Sequence, residues 1–142
     1  MKKILAVFCI IILVFVCGCV GKSLQFNCIV DESKTDQQIV VWRVTSMMAT
    51  GDAGGDLETI VWSLLDEDLN VVWTGSANIV LSSSDLPITT GVNYYDTADH
   101  SMELGGLSTG DKIIVKAPSS GNYSIRATYQ GKTCWQSSPA LF

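Results

Sequence analysis

The sequence predicts an all-β fold: an antiparallel, immunoglobulin-like β-sandwich of about seven or eight strands, preceded by an N-terminal signal or anchor segment. Short runs rich in β-branched and aromatic residues recur along the chain, and turn-forming residues separate them every eight to twelve residues or so. After the first 20 residues no stretch keeps an apolar period of about 3.6 residues, the period that indicates a helix. A small barrel is the alternative architecture.

The N-terminus has the pattern of an export signal. Two lysines, Lys2 and Lys3, precede an unbroken apolar run over residues 4–16. Extended as far as Val20, the run reaches about 17 residues, fewer than the roughly 20 that a spanning helix needs. The lysines hold the start of the segment inside, so the rest of the chain is expected outside.

The residues at the end of the apolar run resemble a lipoprotein processing box. The residues Val16-Cys17-Gly18-Cys19 resemble such a box, in which an aliphatic residue and two small residues precede a cysteine that is lipidated and becomes the new N-terminus. Cys19 would carry the lipid on its thiol. The expected organisation is a signal peptide over residues 1–18, a polar connector over 19–36 and a β-sandwich domain over 37–142. An uncleaved signal anchor and simple cleavage with release are the alternatives.

The charge balance restricts the partners. The whole chain has 9 basic and 14 acidic residues and a net charge of −5. Two lysines and no acidic residue leave with the signal, so the exported part is about two charges more negative. An acidic exterior argues against nucleic acid, which binds to a basic footprint, and against a domain that lies flat on anionic lipid.

The cysteines predict a disulfide. Cys9 and Cys17 leave with the signal and Cys19 is used by the lipid, so Cys28 and Cys134 remain. An even pair in an oxidising compartment indicates a bond. The bond would close a loop of about 100 residues, for which the chain-entropy model gives about 4–5 kcal/mol. Two unpaired thiols are the alternative.

The first half of the domain contains strand patterns separated by polar segments. Residues 39–44 form a β-branched run. The runs 57–65 and 71–74 flank a short polar loop at 66–70, which is the pattern of a hairpin. Residues 77–81 are expected to extend or restart the second arm of that hairpin.

The last third of the chain has the clearest pattern. Residues 111–117 predict a strand, 118–122 a turn, and 123–129 a strand in which apolar and polar residues alternate strictly. A period of two places one face in the core and the other in water. Residues 130–132 turn the chain into a last run at 133–136.

Catalytic and zinc chemistry have little support. The chain has one histidine, His100, in a polar, turn-like segment, and no Gly-x-Ser-x-Gly element. Zinc sites need four ligands, mostly cysteine and histidine, and the exported part has too few. We therefore expect no enzyme, no cofactor and no catalytic residue.

Calcium is an alternative metal interpretation. Four acidic residues cluster near the histidine, and calcium takes carboxylate oxygens: Asp96, Asp99, Glu103 and Asp111. Their spacing does not match an EF-type loop, which needs oxygens at alternate positions and a glycine at the bend. The expectation is no metal, with these acids as the candidates if calcium binds.

Two further features concern ligands and modification. The four tryptophans, Trp42, Trp62, Trp73 and Trp135, are expected to pack in the core, with a carbohydrate-stacking platform as the alternative. Asn122-Tyr123-Ser124 matches the N-glycosylation triplet at a predicted turn, so Asn122 is a candidate acceptor.

Several turn-and-strand motifs resemble a known group of proteins. They are Val61-Trp62-Ser63-Leu64-Leu65-Asp66 with Val71-Val72-Trp73, Tyr94-Tyr95-Asp96, Leu107-Ser108-Thr109-Gly110-Asp111-Lys112-Ile113 and Gly121-Asn122-Tyr123-Ser124-Ile125-Arg126. They resemble the exported β-sandwich domains of archaeal type IV pilin-like and related secreted proteins, where a Leu-x-x-Gly-Asp element introduces a late strand. A pilin also has a long apolar helix that continues into the mature protein. Here the apolar run ends at Cys19, so a lipoprotein that carries a related sandwich fits better.

The sequence therefore favours a non-enzymatic, lipid-anchored domain for binding or scaffolding. Its expected location is the outer face of the cytoplasmic membrane or the cell surface, with the membrane as partner through the N-terminus. A pilin-like filament or envelope subunit is one alternative. A calcium- or carbohydrate-dependent adhesin is the other.

Overall fold

A computed structural model describes residues 21–50, 57–97 and 107–142. Cys19 and the processing box, Asp99, His100 and Glu103 lie outside the described residues. Within them the chain forms two single-turn 3-10 helices, Thr35–Gln37 and Leu57–Thr59, and ten strands. The strands are β1 Ser23–Lys34, β2 Ile39–Thr50, β3 Ile60–Leu65, β4 Val71–Gly75, β5 Asn78–Val80, β6 Gly91–Tyr95, β7 Lys112–Lys116, β8 Asn122–Tyr129, β9 Lys132–Gln136 and β10 Ala140–Leu141.

The strands form two sheets, which confirms the predicted all-β sandwich. One sheet has the order β1-β2-β7-β6-β5; in the other, β4-β3-β8 is completed by β9 and β10, which both pair with β8. Strands β1, β2, β7 and β6 correspond to A-B-E-D of an immunoglobulin-like sandwich, and β4, β3, β8 and β9 to C′-C-F-G. The strand pairs are antiparallel apart from β5 with β6, which is parallel.

Strand β1 corrects the predicted connector. The sandwich begins at Ser23, within the segment expected to be a polar linker. Leu24 and Phe26 are buried, and the Phe26 ring lies 5.5 Å from the ring of Trp135 and 6.2 Å from that of Trp62. The segment contains many polar residues because β1 is an edge strand, and edge strands expose most of their side chains.

The predicted hairpin between β3 and β4 is confirmed, but its expected extension is wrong. The Asp66 carboxylate closes the turn by accepting hydrogen bonds from the backbone N–H of Asp68 at 3.0 Å and of Asn70 at 2.8 Å. Residues 78–80 do not continue β4. They cross to the other sheet as β5 and pair with β6, and Gly75 at the crossing has no side chain to obstruct it.

Residues 82–90 lie over the outer face of the first sheet. Leu86 packs there on a small buried cluster of Ile39, Val41 and Ile114. The Asn93 side chain donates a hydrogen bond to the carbonyl oxygen of Asp85 at 2.8 Å. The segment is therefore attached to the sheet at two consecutive residues, Asp85 and Leu86.

The main core lies between the two sheets and is rich in aromatic rings. Trp62 on β3 is completely buried, as are Tyr94 on β6 and Ile125 on β8. The rings of Trp42 and Trp135 meet edge to face with centroids 6.1 Å apart. Such pairs stabilise a core by about 0.5–1.5 kcal/mol beyond the area that they bury.

The sandwich has two ends, which the strand directions define. At the proximal end, Ser23 of β1 pairs with Thr50 of β2, and Tyr129 pairs with Lys132 where β8 turns into β9. At the distal end lie the helix Thr35–Gln37, the turn at 66–70 and the turn at 118–121. There the Ser33 hydroxyl donates a hydrogen bond to the carbonyl oxygen of Leu141 at 3.3 Å. No helix within the described residues is long and apolar enough to cross a membrane.

Candidate functional site

One of the four tryptophans differs from the others. Trp42, Trp62 and Trp135 are buried between the sheets, as the core-packing interpretation expected. Trp73, on edge strand β4, is half-buried and lines a surface groove of about 370 Å³. We call this the Trp73 groove. Its walls come from β4, β5, the segment before β6 and the start of β6, and include Trp73, Asn78, Val80, Ile88, Thr90 and Asn93.

Two glycines set the position of the Trp73 ring. A Cβ atom on Gly75 would lie 2.8 Å from Cζ2 of the ring, which is closer than non-bonded carbon atoms approach. A Cβ atom on Gly91, at the start of β6, would lie 3.6 Å from the same atom, an ordinary contact. The ring therefore lies against the backbone of its own strand and reaches the opposite sheet, at the edge where β4 and β6 approach each other.

The surroundings of the groove are apolar and exposed. Ile88, in its wall, is 90% exposed, and Leu81, next to the wall strand β5, is 61% exposed. Val72 and Ile79 are also exposed, but each neighbours a wall residue on the same strand, so its side chain points to the opposite face and does not border the groove. An exposed aliphatic side chain beside an indole ring in a concave surface is typical of an interaction site.

The lining supplies binding groups but no titratable ones. It combines an indole ring and aliphatic side chains with the amides of Asn78 and Asn93 and the hydroxyls of Thr89 and Thr90. The Asn93 amide is already used on Asp85, whereas Asn78 and Thr89 are exposed. An aromatic face beside amide and hydroxyl groups can stack on a ring or an apolar side chain and orient it by hydrogen bonds.

Asp111, a calcium candidate, is an interior structural residue. Its carboxylate is fully buried and accepts a hydrogen bond from the Tyr94 hydroxyl. Thr97 donates two more, from its backbone N–H at 3.1 Å and its hydroxyl at 3.3 Å. Ser108 also donates from its backbone N–H, at 2.6 Å, and from its hydroxyl, at 3.0 Å. A carboxylate has about four lone-pair positions, so these donors occupy it. Burial, together with the hydrogen bond to Asp111, raises the pKa of Tyr94 far above its ordinary value.

The other calcium candidates do not join Asp111 in a described site. Asp96 is buried near Tyr94, and Asp99 and Glu103 lie outside the described residues. Among the residues that the structure describes, no three histidine, cysteine or acidic side chains are placed to hold a metal ion.

Cys28 and Cys134 lie on neighbouring strands of opposite sheets, β1 and β9, and both are free thiols in the structure. Cys134 is buried and its thiol donates a hydrogen bond to the carbonyl oxygen of Ala127 at 3.3 Å. Burial raises the pKa of Cys28 to about 12 and that of Cys134 to about 11. The predicted disulfide stays a prediction.

Asn122, the candidate glycosylation site, begins β8 at the distal end. Its side chain is exposed and donates a hydrogen bond to a carboxylate oxygen of Glu67 at 2.8 Å. Ser124, the third residue of the triplet, is buried. A transferase that must contact the Ser124 hydroxyl would therefore have to act before the strand folds.

Sequence reasoning missed the Trp73 groove. It placed Trp73 among four equivalent tryptophans, because the contact of its ring with Gly91 joins residues far apart in the sequence. The available signal was the pair of glycines that end β4 and begin β6. Comparison of the chain with protein-family models, with curated proteins and with solved structures found no match.

Proposed function

We propose that this chain is an exported β-sandwich held at the outer face of the membrane by a lipid on Cys19, and that it binds a partner without performing chemistry. The observation that carries the proposal is the Trp73 groove. It is a concave surface of about 370 Å³ on the open edge of the sandwich, lined by the half-buried ring of Trp73 and the exposed side chain of Ile88.

The tether is supported by the sequence before the sandwich. Lys2 and Lys3, the apolar run and the box that ends at Cys19 form a continuous export and lipidation pattern. The acidic composition that follows suits a domain held by its anchor rather than by general attraction to anionic lipid.

Binding is favoured over catalysis by the chemistry of the groove. The walls hold no carboxylate, thiol, imidazole or amine among the side chains that the structure describes there. A general acid or base must stand within hydrogen-bond reach of the reacting group. Recognition by shape, stacking and a few hydrogen bonds is what this lining supports.

A site-specific photocrosslinker tests the groove directly. We would place it at Ile88, in the groove wall, and at Leu141, an exposed aliphatic residue on β10, in the full chain on native membranes. The proposal predicts a discrete adduct from Ile88 that is lost in the Trp73→Ala variant and is not formed from Leu141. Identical adduct patterns from both positions, or no adduct from either, would contradict it.

Fractionation separates this proposal from a filament subunit. A lipid-anchored domain is released from membranes by mild detergent as a small species. A pilin-like subunit sediments as fibres after shearing. Sedimentation of the native protein as fibres would replace the proposed role by a structural one.

A further inference from the structure

The distance between the proposed lipid and the sandwich is very short. Strand β1 begins at Ser23, so three residues, 20–22, separate it from Cys19. Even fully extended, the chain from the Cys19 Cα to the Ser23 Cα spans at most about 14 Å. If Cys19 carries a lipid, the proximal end of the sandwich stays within that distance of the membrane surface.

The proximal end carries a depression suited to such a surface. It measures about 250 Å³ and is lined by residues of β1, β2 and the turn between β8 and β9, among them Lys22, Gln25, Met48, Tyr129, Lys132 and Thr133. Lys22 and Lys132 are both exposed, and neither forms a salt bridge within the described part of the chain. Met48 in its wall is 69% exposed.

We infer that the proximal end rests on the lipid surface, with the ammonium groups of Lys22 and Lys132 against lipid phosphates and the Met48 side chain at the interface. The inference rests on the proposed lipid at Cys19. Lysine ammonium groups bind phosphate as point charges, and their aliphatic stems tolerate the apolar boundary. Each basic residue near an anionic surface adds about 1 kcal/mol of attraction.

Tether length, rather than net charge, makes this contact. The whole chain has a net charge of −5, and the sequence has Asp52 and Asp56 soon after Thr50 and Asp99 and Glu103 soon after Thr97, so net charge does not favour the contact. A free domain of this charge would not adsorb to anionic lipid. A domain tied within about 14 Å lies close to the roughly 8–10 Å over which charges act in physiological salt.

The contact also orients the Trp73 groove. Gly91, which lines the groove, pairs with Lys116, and Lys116 pairs with Ile39 at the distal end of β2. With the proximal end on the lipid, the Gly91 side of the groove is held away from the membrane, where a partner can reach it.

Lysine footprinting tests the inference. The full-length, processed protein in vesicles of phosphatidylglycerol and phosphatidylcholine is treated with limiting acetylating reagent, and each lysine is read by mass spectrometry. The reference is a variant with about 20 Gly/Ser residues inserted between Gly21 and Lys22, whose mean span of roughly 25 Å releases the sandwich from the surface. Lys34 and Lys116, at the distal end, are internal controls.

The inference predicts that Lys22 and Lys132 react several-fold more slowly in the natural chain than in the insertion variant, while Lys34 and Lys116 react equally in both. Suppose that both proteins float with the vesicles and carry the lipid mass, and that each of the four lysines reacts at the same rate in the natural chain and in the insertion variant. That result would overturn the surface contact and leave the tether intact. Proteins that neither float nor carry a lipid would overturn the tether, and the contact with it.

Discussion

The hydroxyl of Tyr94 donates a hydrogen bond to the carboxylate of Asp111, and both side chains have 0% of their surface exposed. Tyr94 is on β6 and Asp111 immediately precedes β7. Thr97 and Ser108, which bond the same carboxylate, stand on either side of residues 98–106. One buried acid thus joins two strands and the described residues Thr97 and Ser108 between them.

We expect Asp111→Ala to lower the free energy of unfolding by about 3 kcal/mol or more, because several buried donors lose their acceptor and each unsatisfied group costs about 1–3 kcal/mol. Tyr94→Phe removes one bond to a charged group and should cost about 1.5–3 kcal/mol. Urea unfolding of both variants and of the double variant measures their coupling. If the two losses simply add, the two residues do not act together as described.

The stability of the reduced protein should fall in alkali. The folded-state pKa values of Cys28 and Cys134, about 12 and about 11, lie above the ordinary value of 9.0. The unfolded chain therefore ionises its thiols first, and stability declines as the pH rises above 9.0. Tyr94, whose pKa is also raised, adds to the decline above its ordinary value of 10.0.

Urea midpoints measured from pH 8 to 11, with and without reductant, check this. Protein oxidised to the predicted Cys28–Cys134 disulfide has no thiol to ionise there, so only the tyrosine contribution should remain. The oxidised state of the sample without reductant is checked by its mass. If the urea midpoints of the oxidised and the reduced protein then change with pH in the same way, the assigned role of the thiols is contradicted.

Gly75 should be intolerant of alanine only while Trp73 is present. The new Cβ atom would lie 2.8 Å from the ring, so we expect Gly75→Ala to displace the indole and destabilise the fold by about 1 kcal/mol or more. In a Trp73→Ala background the same change should be neutral or stabilising, because glycine weakens a strand. Urea unfolding gives the energies, and acrylamide quenching reports the exposure of the ring. A similar loss in both backgrounds would show that the ring is not the cause.

Asp31 should stabilise the fold modestly and only when ionised. It lies at a bulge in β1, where its carboxylate oxygens are 3.2 Å from Nε of Arg43 and 3.2 Å from Nζ of Lys112. The hydrogen bond from Lys112, with that from Arg43, holds the pKa of Asp31 below its ordinary value of 3.8. Because the pKa is lowered on folding, the stabilisation is present above 3.8 and is lost as the pH falls through the lower, folded-state value.

Asp31→Asn should therefore cost up to about 1 kcal/mol at neutral pH and less in high salt. The difference from the natural chain should vanish in strong acid. Asp36→Asn is the matched control, since Asp36 is exposed and belongs to none of the described salt bridges. Equal effects of the two substitutions in urea unfolding would refute the ion-pair account.

The sequence predicted the strands whose own residues carry a periodic pattern. The alternation at 123–129 and the two apolar arms around Asp66–Asn70 became β8 and the β3–β4 hairpin because local pattern and long-range pairing agree there. Strand β1 was missed because the buried positions Leu24 and Phe26 are few beside the polar residues of an edge strand.

Features that depend on contacts between distant residues could not be predicted. The crossing of β5 to the other sheet depends on β6, and the placement of residues 82–90 depends on Leu86 meeting Ile114 across the sheet. The sequence grouped Asp111 with the calcium candidates because no local pattern indicates that Tyr94 and Ser108 will enclose it. The groove was missed for the same reason, since its ring rests on glycines of two sheets.

The central claim is that the chain is an exported sandwich tethered through Cys19, and the intact mass of the protein purified from native membranes tests it most directly. The account predicts a polypeptide that begins at Cys19, increased by the mass of a lipid and lacking two hydrogens if Cys28 and Cys134 are joined. A mass equal to that of the uncleaved chain with five free thiols would contradict it.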